Sequence, residues 1–296
     1  FRCDFSKALK FDYTANNDGR ILEPYGTIDT KEKKDTIKRN MLGFGENMVF
    51  RQQFNINYTV PLNKIPVFDF VTLSYRYGAT YTWNRRPFAA EEIIGNTIQN
   101  TNTHNYTANL NMLTFYNKIP YFKKINSGQM KNPGKDKKSG KSKNAAADST
   151  ETDKPANESF KDIGEFLARG VMMIKTINFT YQESNGTGMP NFKPKSEYLG
   201  MDWGNDNAPG LPFITGSQDD IRPYAVEKGW LTLNKNQTTP FSQSHSANYN
   251  YRVSIEPHGS LKIELKGMKN RTNNLTEFMR WDTIKNEYQF HDSRAE

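Results

Sequence analysis

Between Val71 and Asn84 the chain reads VTLSYRYGATYTWN, with a large apolar side chain at nearly every second position. Leu73, Tyr75, Tyr77, Ala79, Tyr81 and Trp83 form one set. Thr72, Ser74, Arg76, Gly78, Thr80 and Thr82 form the other. A period of two means a strand with two unlike faces. The pattern recurs. Phe54, Ile56, Tyr58 and Val60 alternate with Gln53, Asn55, Asn57 and Thr59. Tyr249, Tyr251, Val253 and Ile255 alternate with Asn248, Asn250, Arg252 and Ser254.

Eight strand-like runs follow from this alternation, at roughly 3–15, 47–60, 70–84, 97–114, 166–183, 241–256, 260–272 and 276–290. Strands of water-soluble domains cluster near five or six residues. A run of about thirteen spans roughly 43 Å, or about 30 Å vertically when tilted near 45°, which matches a bilayer core.

The links between runs are uneven. The short ones, such as Pro61–Asp69 and Pro257–Gly259, are even-numbered, and the longest others, about 17–46 and 184–240, are odd-numbered. In an up-and-down sheet these two classes lie at opposite ends, the short-turn and long-loop pattern of outer-membrane barrels. Asn63-Lys-Ile-Pro66 recurs as Asn117-Lys-Ile-Pro120, each directly after a run and on an even link, which predicts a shared turn role at one end. In the link 184–240, Ser217 is the expected cap of a short helix that Gly229 stops. Trp203, Phe213, Tyr224 and Trp230 are expected to give that loop its own small core.

Composition narrows the field. Of 296 residues 35% are hydrophobic, 13% aromatic and 24% charged, with a mean hydropathy of −0.83. So many aromatics exclude disorder throughout. No apolar run reaches about eighteen residues, so no transmembrane helix is expected; barrel strands score weakly on hydropathy and stay open. The net charge of +8 is local. From Lys123 to Lys143 eight lysines stand against Asp136. The surrounding segment 127–159 reads as a basic, low-complexity, disordered linker, periplasmic by the parity of its link. The lone Cys3 has no internal partner, and the chain opens without Met inside a strand, which reads as a piece of something longer.

Candidate chemistry is sparse. GKDKKSGKS at 134–142 places five residues between its glycines where a phosphate loop needs four. Segment 127–159 interleaves no aromatic or Arg with its lysines, so no nucleic-acid partner is expected. His104, His245, His258 and His291 lack metal-ligand spacing, and no carboxylate pair stands out from loop and capping residues. No catalytic, cofactor-binding or metal-binding residue is expected, and no enzyme.

Several blocks carry a family resemblance: FDYTANNDGRILEP (11–24), NYTVPLNKIPVFDF (57–70), GNTIQN (95–100), LTFYNKIPYFKKIN (113–126), TYQESNGTGMPNF (180–192), PGLPFITGSQDDIRPYAVEKGWLT (209–232) and SIEPHGSLKIEL (254–265). In these blocks the chain resembles the SprA/Sov family, the giant outer-membrane barrels that form the type IX secretion translocon of Bacteroidota. The resemblance implies the later part of such a barrel. It also implies export of folded cargo, support of gliding motility, and partners that gate the wall laterally and plug the periplasmic side.

The expected fold is therefore all-β, a segment of a large antiparallel transmembrane barrel with about eight long strands. Residues 1–126 would supply strands and one long loop, 127–159 the linker, and 160–296 strands with a structured loop at 184–240. Loops would face periplasm and cell surface. A wide barrel wets its inner face and greases its outer one. Thr72, Ser74, Arg76, Thr80, Thr82, Asn55, Asn57, Asn250 and Arg252 are the expected lumen-facing set. Leu73, Tyr75, Tyr77, Tyr81, Trp83, Tyr249, Tyr251, Val253 and Ile255 are the expected lipid-facing set. Lys7 and Lys175 break the alternation. The rival readings are a small autonomous barrel or porin, and a water-soluble β-sandwich binding module.

Overall fold

A computed structural model describes residues 1–42, 45–87, 94–126, 166–233, 239–285 and 287–292. The basic linker expected at 127–159 lies outside them. Among the described residues nine strands form one antiparallel sheet in sequence order: β1 (Arg2–Asp4), β2 (Leu9–Arg20), β3 (Glu46–Val60), β4 (Val71–Asn84), β5 (Asn96–Asn111), β6 (Ile174–Phe192), β7 (Phe241–His258), β8 (Leu261–Asp282) and β9 (Glu287–Asp292). The all-β class holds. The sheet is open: among the described residues β1 pairs only with β2, and β9 only with β8.

Five expected runs need correction. Residues 3–15 are a tight hairpin, because Ser6 Oγ accepts from the Ala8 and Leu9 N–H groups and turns the chain. The run 166–183 opens with a helix over 166–172, whose buried Ala168 and Met172 stand four residues apart, the helical period. The last two runs are mostly one strand: β8 is 22 residues long, and β9 follows a turn after Asp282. Strand β5 ends at Asn111, whose side chain accepts from Thr114 N–H and starts a helix, where alternation alone had carried the run to 114. Lys175 is the extra residue of a bulge between Ile174 and Thr176, and Lys7 lies in the first hairpin turn. Lys7 thus lies outside the ladder, and Lys175 interrupts it locally without ending it.

The parity of the links survives. Links 5–8, 61–70, 112–173 and 259–260 share one end, here the turn end. Links 21–45, 85–95, 193–240 and 283–286 share the other, the loop end. Helix α1 (Lys31–Leu42) lies at the loop end. Helices α2 (Met112–Lys118), α3 (Pro120–Asn126) and α4 (166–172) lie at the turn end. The two NKIP repeats meet there. Lys118 of the second pairs with Asp69 at 2.6 Å and donates to the carbonyl of Pro66 in the first. Helices α5 (Leu211–Ile214) and α6 (Arg222–Glu227) belong to the link 193–240. The core sits at the loop end, where this link lies on the sheet.

Candidate functional site

Strand register assigns every side chain to a face, because directly paired residues point the same way. Thr72, Ser74, Arg76, Thr80, Thr82, Asn55, Asn57, Asn250 and Arg252 all share one face. Around them stand Thr101, Thr103, Asn105, Ser184, Ser244 and Ser246, so this face is hydroxyl- and amide-rich from β3 to β7. Leu73, Tyr75, Tyr77, Tyr81, Trp83, Tyr249, Tyr251, Val253 and Ile255 share the other.

That second face divides by height. Toward the turn end it is open and apolar: Tyr251 is 51% exposed and Phe179 39%. Toward the loop end it is covered. Tyr81 is fully buried and Trp83 nearly so, beneath the link 193–240, so neither is available to lipid as expected. The link approaches so closely that Gly200 and Gly216, at φ of +80° and +94°, are both required. A Cβ on Gly200 would stand 2.6 Å from the Tyr81 ring, and one on Gly216 would stand 2.9 Å from Asn102 Cβ.

Between the open and covered zones runs an aromatic rim. Tyr13, Phe54, Tyr77, Tyr106, Tyr181 and Tyr249 are the last large apolar side chains of the open zone on β2 to β7, and on β8 the series passes through Gly267 to Lys269. The rim crosses the strands obliquely. Tyr13 is in register with Asn273 of β8 and Tyr249 with Lys269, four residues nearer the turn end. A fall of about 13 Å over the five strand spacings from β2 to β7, totalling about 24 Å, gives a slope of about 30°.

Four tyrosine hydroxyls on this face point one way. Tyr13 Oη donates to Gln52 Oε1 at 2.9 Å, Tyr77 Oη to the Thr215 carbonyl at 2.5 Å, and Tyr181 Oη to Glu183 Oε2 at 2.8 Å. Tyr75 Oη bonds His104 Nδ1 at 2.9 Å. Each partner lies nearer the loop end, or in the loop itself. The rings lie in register, Tyr75 and Tyr106 at 4.7 Å and Tyr181 and Tyr249 at 4.8 Å between centroids.

Above the rim the same face turns polar on β5 to β7, and this is what seats the link. Asn100 Nδ2 donates to the Phe213 and Ser217 carbonyls, both at 2.8 Å, and Asn102 Nδ2 to the Gly216 carbonyl at 2.6 Å. Gln218 donates to Asn100 Oδ1 and accepts from Thr187. Buried amides thus satisfy a loop backbone that has no ladder of its own. The signal was present in the sequence: Asn100, Asn102 and His104 occupy the parity that should be apolar.

Helix α6 is locked separately. Asp220 accepts from the Arg222 backbone N–H and from its guanidinium at 2.9 and 2.8 Å, and the same guanidinium pairs with Glu277 of β8 and lies 4.2 Å above the Phe241 ring. The helix is capped at Ile221 rather than at Ser217, and it stops before Gly229 at φ +67°. Phe213 and Trp230 are buried, but against the sheet. Trp203 and Tyr224 are half exposed, so these four aromatics do not close a separate core among the described residues. Among the described residues no group of three His, Cys, Asp or Glu side chains is placed to hold a metal. No family model matches the chain, and no curated protein matches it.

Proposed function

We propose that this sheet is part of the wall of an outer-membrane protein-conducting channel, of the type IX secretion class that the sequence blocks resemble. The observation that carries the reading is the oblique aromatic rim, with the hydroxyls of Tyr13, Tyr77 and Tyr181 aimed at the loop end. Tyrosine at a membrane interface keeps its ring in hydrocarbon and its hydroxyl toward water. A rim inclined about 30° to the strand normal is close to horizontal in a barrel whose strands tilt about 35–45°. Below the rim the strands offer about 20 Å of apolar length, or about 15 Å vertically at that tilt. The links at the turn end extend it with exposed Ile65, Val67 and Phe68.

The opposite face then lines the conduit. A surface of Ser, Thr and Asn bonds water and offers passing polypeptides few apolar holds. Hydrocarbon demands that every backbone N–H and C=O be paired, at a cost of several kcal/mol for each failure. The wall therefore continues beyond β1 and β9 with further strands. Folded cargo crosses this wide lumen, with partner proteins at the lateral opening and the periplasmic mouth. The small-barrel alternative would need β1 and β9 to pair with each other, and the sandwich a second sheet over Tyr75 and Tyr251; neither occurs among the described residues.

Nitroxide labels test the membrane placement. On the intact chain in bilayers, labels at Leu73 and Tyr251 should be relaxed by oxygen, and labels at Asn17 and Asn273 by a water-soluble nickel chelate. Equal nickel access at all four positions sinks the membrane reading. In cells, loss of the chain should strand folded type IX cargo in the periplasm, and undiminished cargo outside sinks the transport reading.

A further inference from the structure

The strands alone are too short for a bilayer. Their apolar length below the rim is about 15 Å vertically, against an apolar band about 25 Å tall on outer-membrane barrels. About 10 Å is missing at the turn end. What stands there is link 61–70 and the helices α2, α3 and α4 of link 112–173. Helices α2 and α3 have seven residues each. A helix of that length is about 10 Å long and about 10 Å across, so it adds that height however it lies.

These elements are apolar outward. Val67 and Phe68 of the first link, Leu113 of α2, and Phe166, Leu167 and Val171 of α4 are each 40–77% exposed. Helix α4 is apolar on more than one side. Ala168 and Met172 form a buried stripe, and Leu167 and Val171 an exposed one, each pair four residues apart. Such a helix packs against a second apolar medium as well as against its own protein. The loop end differs: its helix α1 begins KEKKDTIKR.

The links also carry their own hydrogen bonds. From Pro61 to Val71, the Lys64, Ile65, Phe68 and Val71 N–H groups donate to the Pro61, Leu62, Ile65 and Phe68 carbonyls in turn. Tyr116 Oη donates to the Val171 carbonyl at 2.7 Å, and Lys118 binds both the Pro66 carbonyl and Asp69. Paired backbone is what hydrocarbon demands of any connection it touches. Asp69 is the one carboxylate among the described residues of these two links, and Lys118 neutralises it. The remaining charges there, Lys64, Lys123, Lys124 and Arg169, are cations on long stems that reach toward a head-group layer.

We propose that link 61–70 and helices α2 to α4 sit in the periplasmic leaflet, with these six side chains against phospholipid acyl chains. The turn end then completes the apolar belt instead of standing in the periplasm. The proposal rests on the membrane reading above and adds to it the contact with the second leaflet.

Nitroxide labels at Val67, Leu113 and Leu167, one at a time on the intact chain in nanodiscs, should be relaxed by oxygen more than by the nickel chelate, as at Tyr251. Nickel preference at the link positions with oxygen preference at Tyr251 puts the links in water and overturns this proposal alone. Shielding of the link positions from both reagents assigns the patch to a protein cover and overturns it too. Nickel preference at Tyr251 removes the membrane reading, and the proposal with it. A second measurement uses Val67→Ser with Phe68→Ser and Leu167→Ser, exposed side chains whose loss leaves the strands in place. The bilayer thickness that gives the highest melting temperature should fall by several Å in this variant. An unchanged optimum overturns the proposal.

Discussion

At Gly216 the absence of a methyl group decides how near the long loop can come to the sheet. Tyr77 Oη and Ala79 Cβ stand 3.0 and 3.1 Å from where that methyl would be. Gly216→Ala should cost about 2 kcal/mol through strain and overpacking. It should appear as faster amide exchange across 211–220 with unchanged strand exchange. Asp220 makes a second residue-scale prediction. Burial acts to raise its carboxyl pKa, but hydrogen bonds from the Arg222 side chain and backbone overcome this, and the pKa lies below the usual 3.8. A depressed folded pKa contributes stability that is present above the unfolded value, about 3.9, and is lost as pH falls through the lower folded value. Pepsin cleavage near 217–222 should therefore accelerate as pH falls below about 4, relative to an Asp220→Asn variant whose loop is loosened at every pH.

The strands make the contrast between faces measurable. Leu73→Arg places a cation on the open apolar face and should cost about 2–4 kcal/mol in bilayer unfolding experiments on the intact chain. Thr80→Arg on the hydroxyl-rich face should stay within about 1 kcal/mol. Equal costs would mean the faces are not differently solvated. At this scale most of the sheet was legible: β3, β4, β5 and β7 lie within a few residues of the alternating runs. The exception at β8 is instructive. Alternation breaks the strand at 273–275, because both faces are polar from Lys269 to Asn274. They are strand residues that have risen past the rim, so their polarity reflects height and not a chain reversal. The same cause put Asn100, Asn102 and His104 on an apolar parity in β5.

At the scale of the molecule, link parity sorted the two ends correctly because consecutive antiparallel strands leave a connection no other choice. Hydropathy could not locate the cover over Tyr81 and Trp83. Alternation tells which face a side chain takes, and nothing about what lies against it. If the hydroxyl-rich face is the conduit, changing Thr72, Thr80 and Thr82 to Leu should slow cargo release several-fold while the heat-modifiable fold persists. Unchanged secretion would remove that face from the path.

The long loop borrows its interior from several strands at once: Trp83 and Tyr81 from β4, Ile98 and Asn100 from β5, Met189 from β6, Phe241 from β7 and Met279 from β8. It has nothing to fold around until all of them are laid side by side. Its closure is therefore a late event in assembly, and a protease cut between 209 and 220 marks a sheet whose strands are not yet all in place.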